Sequence, residues 1–377
     1  MRNISAKERV RAAIGAAGPD RVPIAVSADW AYVAKAAGMS IEEFIFGDNR
    51  VRAHATIRMF RRHAGIDILL CPVGVSEAFA RSHRLRREGD RVLVTDENTG
   101  ETLPIAERYE MERSKSASSA NVADRPISTR ADIEEALGPL PTTEEVLARG
   151  IHDPESIIAR ELGDEAFLVR RAGHPTERLV YHLGGFNRTM EMIATNSDLV
   201  AEVFVRIAAQ KAIENISTAS DNGVDGVRIT ASMEGADMIS PHHWRQIMLP
   251  GYRIMVERAR AAGLSVLMWF LGDCMPLLRD LVELGIDGLW IEQPRRGSAA
   301  DLREIRRTVG DAFCITGWTN DLEMIHDDRP AIARRVRDQI RHAGARGALI
   351  MSTSHLADDV SCETVDFWCR QALQCSF

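Results

Sequence analysis

The second half of the chain repeats one pattern of hydrophobic and polar positions. A short apolar run ends in polar residues and is followed by a charged amphipathic segment, and this unit occurs four times within residues 263–355. Short apolar runs that alternate with helical patterns are typical of buried parallel strands connected by helices. The four predicted strands are residues 264–270, 286–291, 312–316 and 347–351.

Similar apolar runs earlier in the chain bring the number of predicted strands to eight. These runs are residues 22–26, 66–71, 166–170 and 224–230. Because polar residues gather directly after the strands, the pattern predicts an α/β fold, a (β/α)8 TIM barrel whose site lies at the carboxyl ends of the strands. A doubly wound open sheet is the alternative, but no Gly-rich phosphate turn follows the first strand.

Three stretches lie outside the predicted barrel repeats. Ser5 and Glu8 form a capping-box pattern, so residues 1–20 are predicted to be an N-terminal helical extension. Alternating patterns at 86–94 and 101–105 predict a β-hairpin within an insertion at 83–113. Residues 114–165 are interpreted as a linker followed by helices. We therefore expect residues 1–377 to form a single domain.

Composition and charge narrow the possible functions. The chain has 377 residues, of which 45% are hydrophobic and 27% charged, as in an ordinary globular enzyme. Its net charge of -7 argues against a nucleic-acid partner, whose binding surface would be basic. With neither an apolar signal core nor a membrane-length apolar run, the sequence predicts a cytoplasmic protein without a membrane partner. Its six cysteines are expected to be free thiols.

An ordered set of motifs resembles the uroporphyrinogen decarboxylase (URO-D) superfamily over nearly the whole chain. The motifs are Asp20-Arg-Val-Pro23, Gly65-Ile-Asp67, Gly223-Val-Asp-Gly226, Met238-Ile-Ser-Pro241, Leu249-Pro-Gly-Tyr252, Gly285-Ile-Asp-Gly288 and Ser354-His355. The resemblance implies a TIM barrel, a cleft at the carboxyl ends of its strands, and a homodimer. It also implies one of two chemistries: decarboxylation without a cofactor, or methyl transfer with a corrinoid protein, often with zinc.

The chain departs from both branches of this superfamily. Uroporphyrinogen decarboxylases resemble one another in an arginine-containing segment after strand one and an aspartate after strand two, and residues 27–35 and 72–74 lack both. In the methyltransferase branch a His-x-Cys-Gly motif supplies zinc ligands, but the matching segment here is Trp269-Phe-Leu-Gly272. Tryptophan and leucine provide no donor for zinc, so we predict no metal, with Cys274 and His355 left as a minor alternative.

The candidate catalytic residues come from strand ends and from the resemblance. His355 follows the last predicted strand, where its imidazole would bind a carboxylate or transfer a proton. Asp273 and Glu292 also follow strands and would act as a general base or bind a substrate hydroxyl or amine, unless they form structural salt bridges. Tyr181 is included because the resemblance implies a family tyrosine at this position.

The candidate substrate-binding residues are aromatic, cationic or amide side chains near strand ends. We expect two of the tryptophans, Trp269 and Trp318, to form an aromatic wall for a flat ligand. The arginines would hold a substrate carboxylate, and Arg228, between apolar neighbours, should point into the barrel or onto the helices. The complete set is Trp30, Arg170, Arg228, Trp269, Trp318 and Asn320.

Three functions remain open from the sequence. The leading hypothesis is a metal-free carboxy-lyase that decarboxylates a small, planar anion other than uroporphyrinogen III. The alternative is a corrinoid (cobalamin)-dependent methyltransferase or O-demethylase, with a corrinoid protein as partner. The third is a non-catalytic ligand-binding barrel. Convergence of Asp273, Glu292 and His355 would argue against that third function, since binding alone seldom needs so many titratable groups.

Overall fold

The protein folds as a closed barrel of eight parallel strands, which confirms the (β/α)8 prediction. The computed structural model describes residues 4–89, 91–109, 122–291, 301–318, 321–353 and 355–375. Around the barrel the strand order is β1-β11-β10-β9-β8-β7-β6-β2, and β2 closes the ring by pairing with β1. The barrel strands are β1 Ile24–Ala25, β2 Ile68–Leu70, β6 Phe167–Gly173, β7 Gly226–Ala231, β8 Ser265–Phe270, β9 Gly288–Ile291, β10 Cys314–Thr316 and β11 Leu349–Ser352.

A small antiparallel sheet lies between β2 and β6 in the chain. It contains three strands, β3 His83–Glu88, β4 Arg91–Asp96 and β5 Thr102–Pro104, so the predicted hairpin insertion is confirmed and has one additional strand. The stretch 86–94, predicted as one strand, is divided at Gly89, which has a φ of 60° and reverses the chain. Hydrophobic alternation continues on both sides of this turn, which is why the pattern did not reveal it.

Helices surround the barrel and connect its strands. In the part of the chain that the structure describes, none is long and apolar enough to cross a membrane. The predicted N-terminal helix is present, and Ser5 and Glu8 form its capping box. The helices are Ala6–Ile14, Trp30–Ala36, Ile41–Phe46, Asn49–Arg62, Glu77–Ser82, Ala131–Leu137, Thr143–Ala148, Asp153–Leu162, Pro175–Leu183, Phe186–Thr195, Ser197–Asn215, Pro241–His243, a π-helix at Trp244–Met248, Leu249–Ala261, Leu278–Leu284, Leu302–Val309, Asp321–Ile325, Arg329–Ala343 and Cys362–Gln374.

The hydrophobic core has two layers, because successive side chains of a strand point to opposite faces. One layer lies between the strands and the helices, and a second, smaller cluster fills the inside of the barrel. The inner cluster consists of Val10, Ala13, Ala25, Ile68, Leu70, Phe167, Val169, Leu267, Trp290, Cys314 and Ile350. This alternation decides which polar side chains near the strand ends reach the inside of the barrel.

The aspartates of three family-like motifs lie at the amino ends of the strands, opposite the mouth. Each of these carboxylates accepts a hydrogen bond from a backbone N–H of the neighbouring strand. The three bonds are Ile24 N to Asp67 Oδ2 (2.9 Å), Leu168 N to Asp225 Oδ2 (3.0 Å) and Val266 N to Asp287 Oδ2 (2.6 Å). These motifs therefore hold neighbouring strands in register, a stabilising role at the amino end of the barrel.

Candidate functional site

A buried arginine lies inside the barrel near its carboxyl end. The side chain of Arg228, on β7, is enclosed by two indoles, with its guanidinium carbon 4.5 Å from the ring centroid of Trp269 and 5.2 Å from that of Trp290. Its Nη1 reaches Ser27 Oγ at 3.5 Å, and no carboxylate in the described ranges pairs with it. Burial, reinforced by nearby Arg171, holds the pKa of Arg228 well below its ordinary value. Among the residues that the structure describes, this buried charge has no counter-ion.

A second arginine extends this positive region towards the mouth. Arg171 Nη2 donates to the carbonyl of Ala28, at 2.8 Å, in the segment that follows β1. Its Nε is buried without a hydrogen-bond partner among the described residues. Burial lowers the pKa of Arg171, and the carboxylate of Asp29 only partly opposes this effect. Arg171 and Arg228 together form a site suited to a carboxylate or another oxyanion.

His355 stands beside these arginines at the rim. Its ring centroid lies 5.9 Å from that of Trp269, and part of the residue is open to solvent at the mouth of the barrel. Partial burial lowers the pKa of His355 to about 4, and the positive charges of Arg171, Arg228 and His174 add to this effect. The imidazole is therefore neutral at pH 7 while the site holds no anion.

Tyr181 lies on a neighbouring wall of the mouth. It is on the helix Pro175–Leu183, whose first turn carries Glu177, and Glu177 forms an ion pair of 3.1 Å with His174 Nδ1. The Tyr181 ring packs edge-on against His182 and lies 5.1 Å from the guanidinium carbon of Arg178. His174, Glu177, Arg178 and Tyr181 line a cavity of about 420 Å³. His174, whose charge contributes to the lowered pKa of His355, is part of this lining.

A mostly apolar cavity of about 340 Å³ opens on the other side of His355. We call it the Trp30 pocket, and its lining includes Asp29, Trp30, Ile41, Ile45, Val73 and Tyr109. Arg171 and His355 complete the lining and connect this pocket to the arginine site. The predicted ligand residue Trp30 therefore lies in the same cavity as the predicted catalytic residue His355.

Two predicted binding residues are placed away from this site. Arg170 points to the outside of the barrel, where Nε donates to Glu155 at 2.9 Å and Nη1 donates to Thr218 Oγ1 at 2.9 Å. Trp318 is only 5% exposed and packs in the layer between strands and helices, beside Gln339. It does not form the predicted wall with Trp269, because the two side chains belong to different layers of the core.

The predicted carboxylates are only partly described by the structure. Asp273 organises the loop after β8: its Oδ1 accepts from the backbone N–H of Met275 at 3.0 Å, and its own N–H donates to Asp237 Oδ1 at 2.9 Å. Glu292 and Asn320 lie outside the described residues. Convergence of Asp273, Glu292 and His355 therefore stays a prediction.

One buried carboxyl group that we did not predict supports the mouth from below. Glu234 follows β7 and accepts hydrogen bonds from the hydroxyls of Thr176 and Tyr252 and, at 3.2 Å, from Trp244 Nε1. Complete burial raises the pKa of Glu234 to about 7. These bonds tie the loop after β7 to three helices, Pro175–Leu183, the π-helix Trp244–Met248 and Leu249–Ala261. A single acidic residue without a motif gave no sequence signal for this role.

The residues that end β8 do not fit the zinc site found in the methyltransferase branch. Trp269, Phe270 and Leu271 have no thiolate or imidazole, and Cys274 is 2% exposed. Burial raises the pKa of the Cys274 thiol to about 12, which disfavours the thiolate that a metal requires. Within the described ranges, no three His, Cys, Asp or Glu side chains are grouped so that they could hold a metal ion.

Comparisons with known proteins agree with the barrel. The family model of uroporphyrinogen decarboxylase (URO-D) matches residues 108–372, and no curated protein sequence matches the chain. A solved methyltransferase from Methanosarcina mazei is 14% identical, covers 98% of both chains and has a TM-score of 0.65. The match to a 2,3-dimethylmalate lyase has 12% identity over 97% of this chain and 95% of the lyase, but its TM-score of 0.35 is too low to indicate a shared fold. Since the family model spans well over half of the sequence, the chain belongs to the uroporphyrinogen decarboxylase family.

Proposed function

We propose that this protein is a metal-free carboxy-lyase that acts on a small carboxylic acid bound at the mouth of the barrel. The observation that carries the proposal is the pair Arg171 and Arg228, two largely buried guanidiniums without an ion-pair partner among the described residues. A buried charge is costly unless a counter-ion compensates it. An anionic substrate would supply that counter-ion, and family membership supports an enzymatic role.

The proposed reaction needs an electron acceptor within the substrate itself. As the bond to the carboxylate breaks, its electron pair moves into a conjugated carbonyl or electron-poor ring of the substrate, and CO₂ leaves. Arg171 and Arg228, which hold the carboxylate in the bound substrate, stabilise the negative charge as it moves from that carboxylate to the acceptor, because their own charges are already in place. The substrate carbon then takes a proton from His355, which regains one from water. The expected substrates are therefore acids with such a group β to the carboxylate.

His355 can act as this proton donor only if anion binding changes its charge state. In the free enzyme the pKa of His355 is about 4, so the ring carries no proton at pH 7. A bound anion offsets the positive charges of Arg171 and Arg228, which raises the pKa of His355 towards its ordinary value. The substrate would thus bring about the protonation of its own acid catalyst.

This linkage predicts that a carboxylate probe binds more tightly as the pH falls from 7 towards 5. His355 has a lower pKa in the free protein than in the complex, so the complex takes up protons over this range and acidification favours binding. Calorimetry of benzoate binding in two buffers with different ionisation enthalpies measures that uptake. In His355→Gln, proton uptake should be lost although His174 remains. Equal uptake in both proteins would contradict this role of His355.

The proposed reaction is tested directly by incubating β-keto and aromatic acids with the enzyme in D₂O. We expect CO₂ release and one deuterium at the carbon that loses it. His355→Gln should lower kcat by about 10²- to 10⁴-fold, the usual contribution of a positioned acid, while benzoate still binds. If His355→Gln releases CO₂ at the full rate, another group donates the proton. If acids bind but none is decarboxylated, the lyase proposal fails.

Methyl transfer is the second candidate, because the structure matched over 98% of both chains is named a methyltransferase. In that case a corrinoid protein would be the partner, and His355 would protonate the leaving group of a methylated substrate. Transfer of a labelled methyl group from methylcobalamin, without CO₂ release, would favour this function. It would have to proceed without the zinc ligands that the end of β8 lacks.

A further inference from the structure

We propose that the Trp30 pocket binds the apolar body of the substrate, so that the enzyme selects acids with one anionic end and one apolar end. This inference deepens the proposed function and rests on it for the position of the carboxylate at Arg171 and Arg228. It makes polycarboxylates poor ligands. Arg171 and His355 already belong to the lining of this pocket.

The pocket exposes apolar side chains that the core does not use. Trp30 is 37% exposed and Val73 is 40% exposed, both unusually open for large hydrophobic residues of this chain. They line the same cavity, together with Ile41, Ile45 and Tyr109. Single exposed hydrophobic residues are ordinary, but a concave group of them beside polar residues is typical of a ligand site.

One buried arginine holds the outer wall of this pocket in place. Arg52 is 4% exposed, and its Nη1 donates to the carbonyl of Val73 at 2.7 Å while its Nη2 donates to the carbonyl of Ile45 at 2.6 Å. Its guanidinium carbon also lies 5.4 Å from the ring centroid of Trp30. Arg52 thus holds three residues of the apolar wall, two through hydrogen bonds from its Nη groups to their backbone carbonyls and Trp30 through its ring.

The loop that carries Val73 is also fixed before any ligand binds. The next two residues donate backbone hydrogen bonds: Gly74 to the carbonyl of Ile151 at 2.8 Å, and Val75 to Asn49 Oδ1 at 2.7 Å. A Cβ at Gly74 would lie 2.5 Å from Asn49 Oδ1, so the close approach requires glycine. A preformed wall lowers the entropy cost of binding an apolar group.

The charges around the pocket allow one carboxylate but not several. Its permanently charged positive group is Arg171, and His355 becomes positive only by taking up a proton beside the first bound carboxylate. Asp29 already accepts a hydrogen bond from the backbone N–H of Tyr32 at 2.8 Å. A second carboxylate in the apolar part would lose water without gaining an ion-pair partner. The volume of about 340 Å³ lies at the lower end of the range for ligand sites, which suits one aromatic ring system.

The test compares acetate, phenylacetate and benzene-1,3,5-tricarboxylate as calorimetric probes at fixed pH. With the natural sequence we expect phenylacetate to bind about 10- to 100-fold more tightly than acetate, the usual gain for burying a phenyl-sized group. Its heat-capacity change should be the more negative of the two, as apolar burial requires. The tricarboxylate should bind no more tightly than acetate.

Val73→Asp and Val73→Asn should both remove most of the preference for phenylacetate while acetate still binds, which also shows that these variants fold. Leu147→Asp is the matched control, since Leu147 is 49% exposed and does not line the pocket, and it should keep the preference. A preference that is absent from the natural sequence, or unchanged in both Val73 variants, overturns the inference. Tight phenylacetate binding without any decarboxylase activity would instead refute only the proposed function.

Discussion

Arg228→Met is expected to weaken substrate binding strongly while leaving the fold intact or more stable. Removing a buried charge that meets the ligand commonly costs about 2–5 kcal/mol of binding, so kcat/KM should fall by roughly 30- to several thousand-fold. The guanidinium of Arg228 has no carboxylate partner in the described parts of the chain and lies between two indoles. Methionine fills similar space without an uncompensated charge, so the free energy of unfolding should stay equal or rise by about 1–4 kcal/mol.

Weaker binding together with an equal or higher free energy of unfolding distinguishes an arginine that serves the ligand from one that serves the fold. Urea unfolding gives the stability and calorimetry with benzoate gives the binding. Arg245→Met is a suitable control, because Arg245 pairs with Asp280 near the surface and should change neither quantity by much. An Arg228→Met protein that binds benzoate normally but has lost several kcal/mol of stability would show that Arg228 serves the fold.

The barrel was predictable from sequence because strand alternation and the βα repeat are local patterns. The same alternation placed Arg228 correctly as a side chain between apolar neighbours that point the other way. In β6 the same alternation would have favoured Arg171 over Arg170 as the inward-facing residue, since Val169 faces the inside of the barrel and Arg170 the outside. The prediction selected Arg170 as the substrate ligand, a choice that ignored the period of two.

The remaining features of the site depend on contacts between distant segments. Trp318 follows β10, where the strand has ended and alternation no longer fixes the direction of the side chain, so its position in the outer layer could not be predicted. Arg52 acts on the pocket through backbone carbonyls of Ile45 and Val73, which leave no trace in a sequence pattern. Glu234 likewise gains its role only from helices that pack over it.

The motifs that revealed the family belong mainly to the fold. Asp67 and Asp225 accept backbone hydrogen bonds at the amino ends of the strands, whereas the arginine site lies at the carboxyl ends. Their spacing therefore identifies the architecture with high specificity but says nothing about the substrate. This separation explains why a family resemblance over nearly the whole chain left decarboxylation and methyl transfer open.

Asp67→Asn is the strongest test of the view that the motif aspartates serve the fold and not the ligand site. It should lower the free energy of unfolding by about 3–5 kcal/mol, the usual effect of removing one partner from a buried ion pair. Asp67 is completely buried and receives Arg9 Nη1 at 2.7 Å, Arg21 Nη1 at 2.7 Å and the backbone N–H of Ile24 at 2.9 Å. An asparagine keeps the size of the side chain but loses the charge that pairs with Arg21 and that, together with Asp20, compensates Arg9. Urea unfolding measures the loss.

Asp287→Asn provides the matched comparison, since Asp287 accepts the equivalent backbone hydrogen bond from Val266. Removing its charge should lower the free energy of unfolding by only about 1 kcal/mol. Under conditions where both variants are fully folded, each should bind benzoate as tightly as the natural protein, because both substitutions lie at the end of the barrel opposite Arg171 and Arg228. Weakened binding in folded Asp67→Asn would mean that the amino end influences the site. Equal, small losses of stability in both variants would mean that the arginines around Asp67 contribute little, and that the motif aspartates act through the backbone alone.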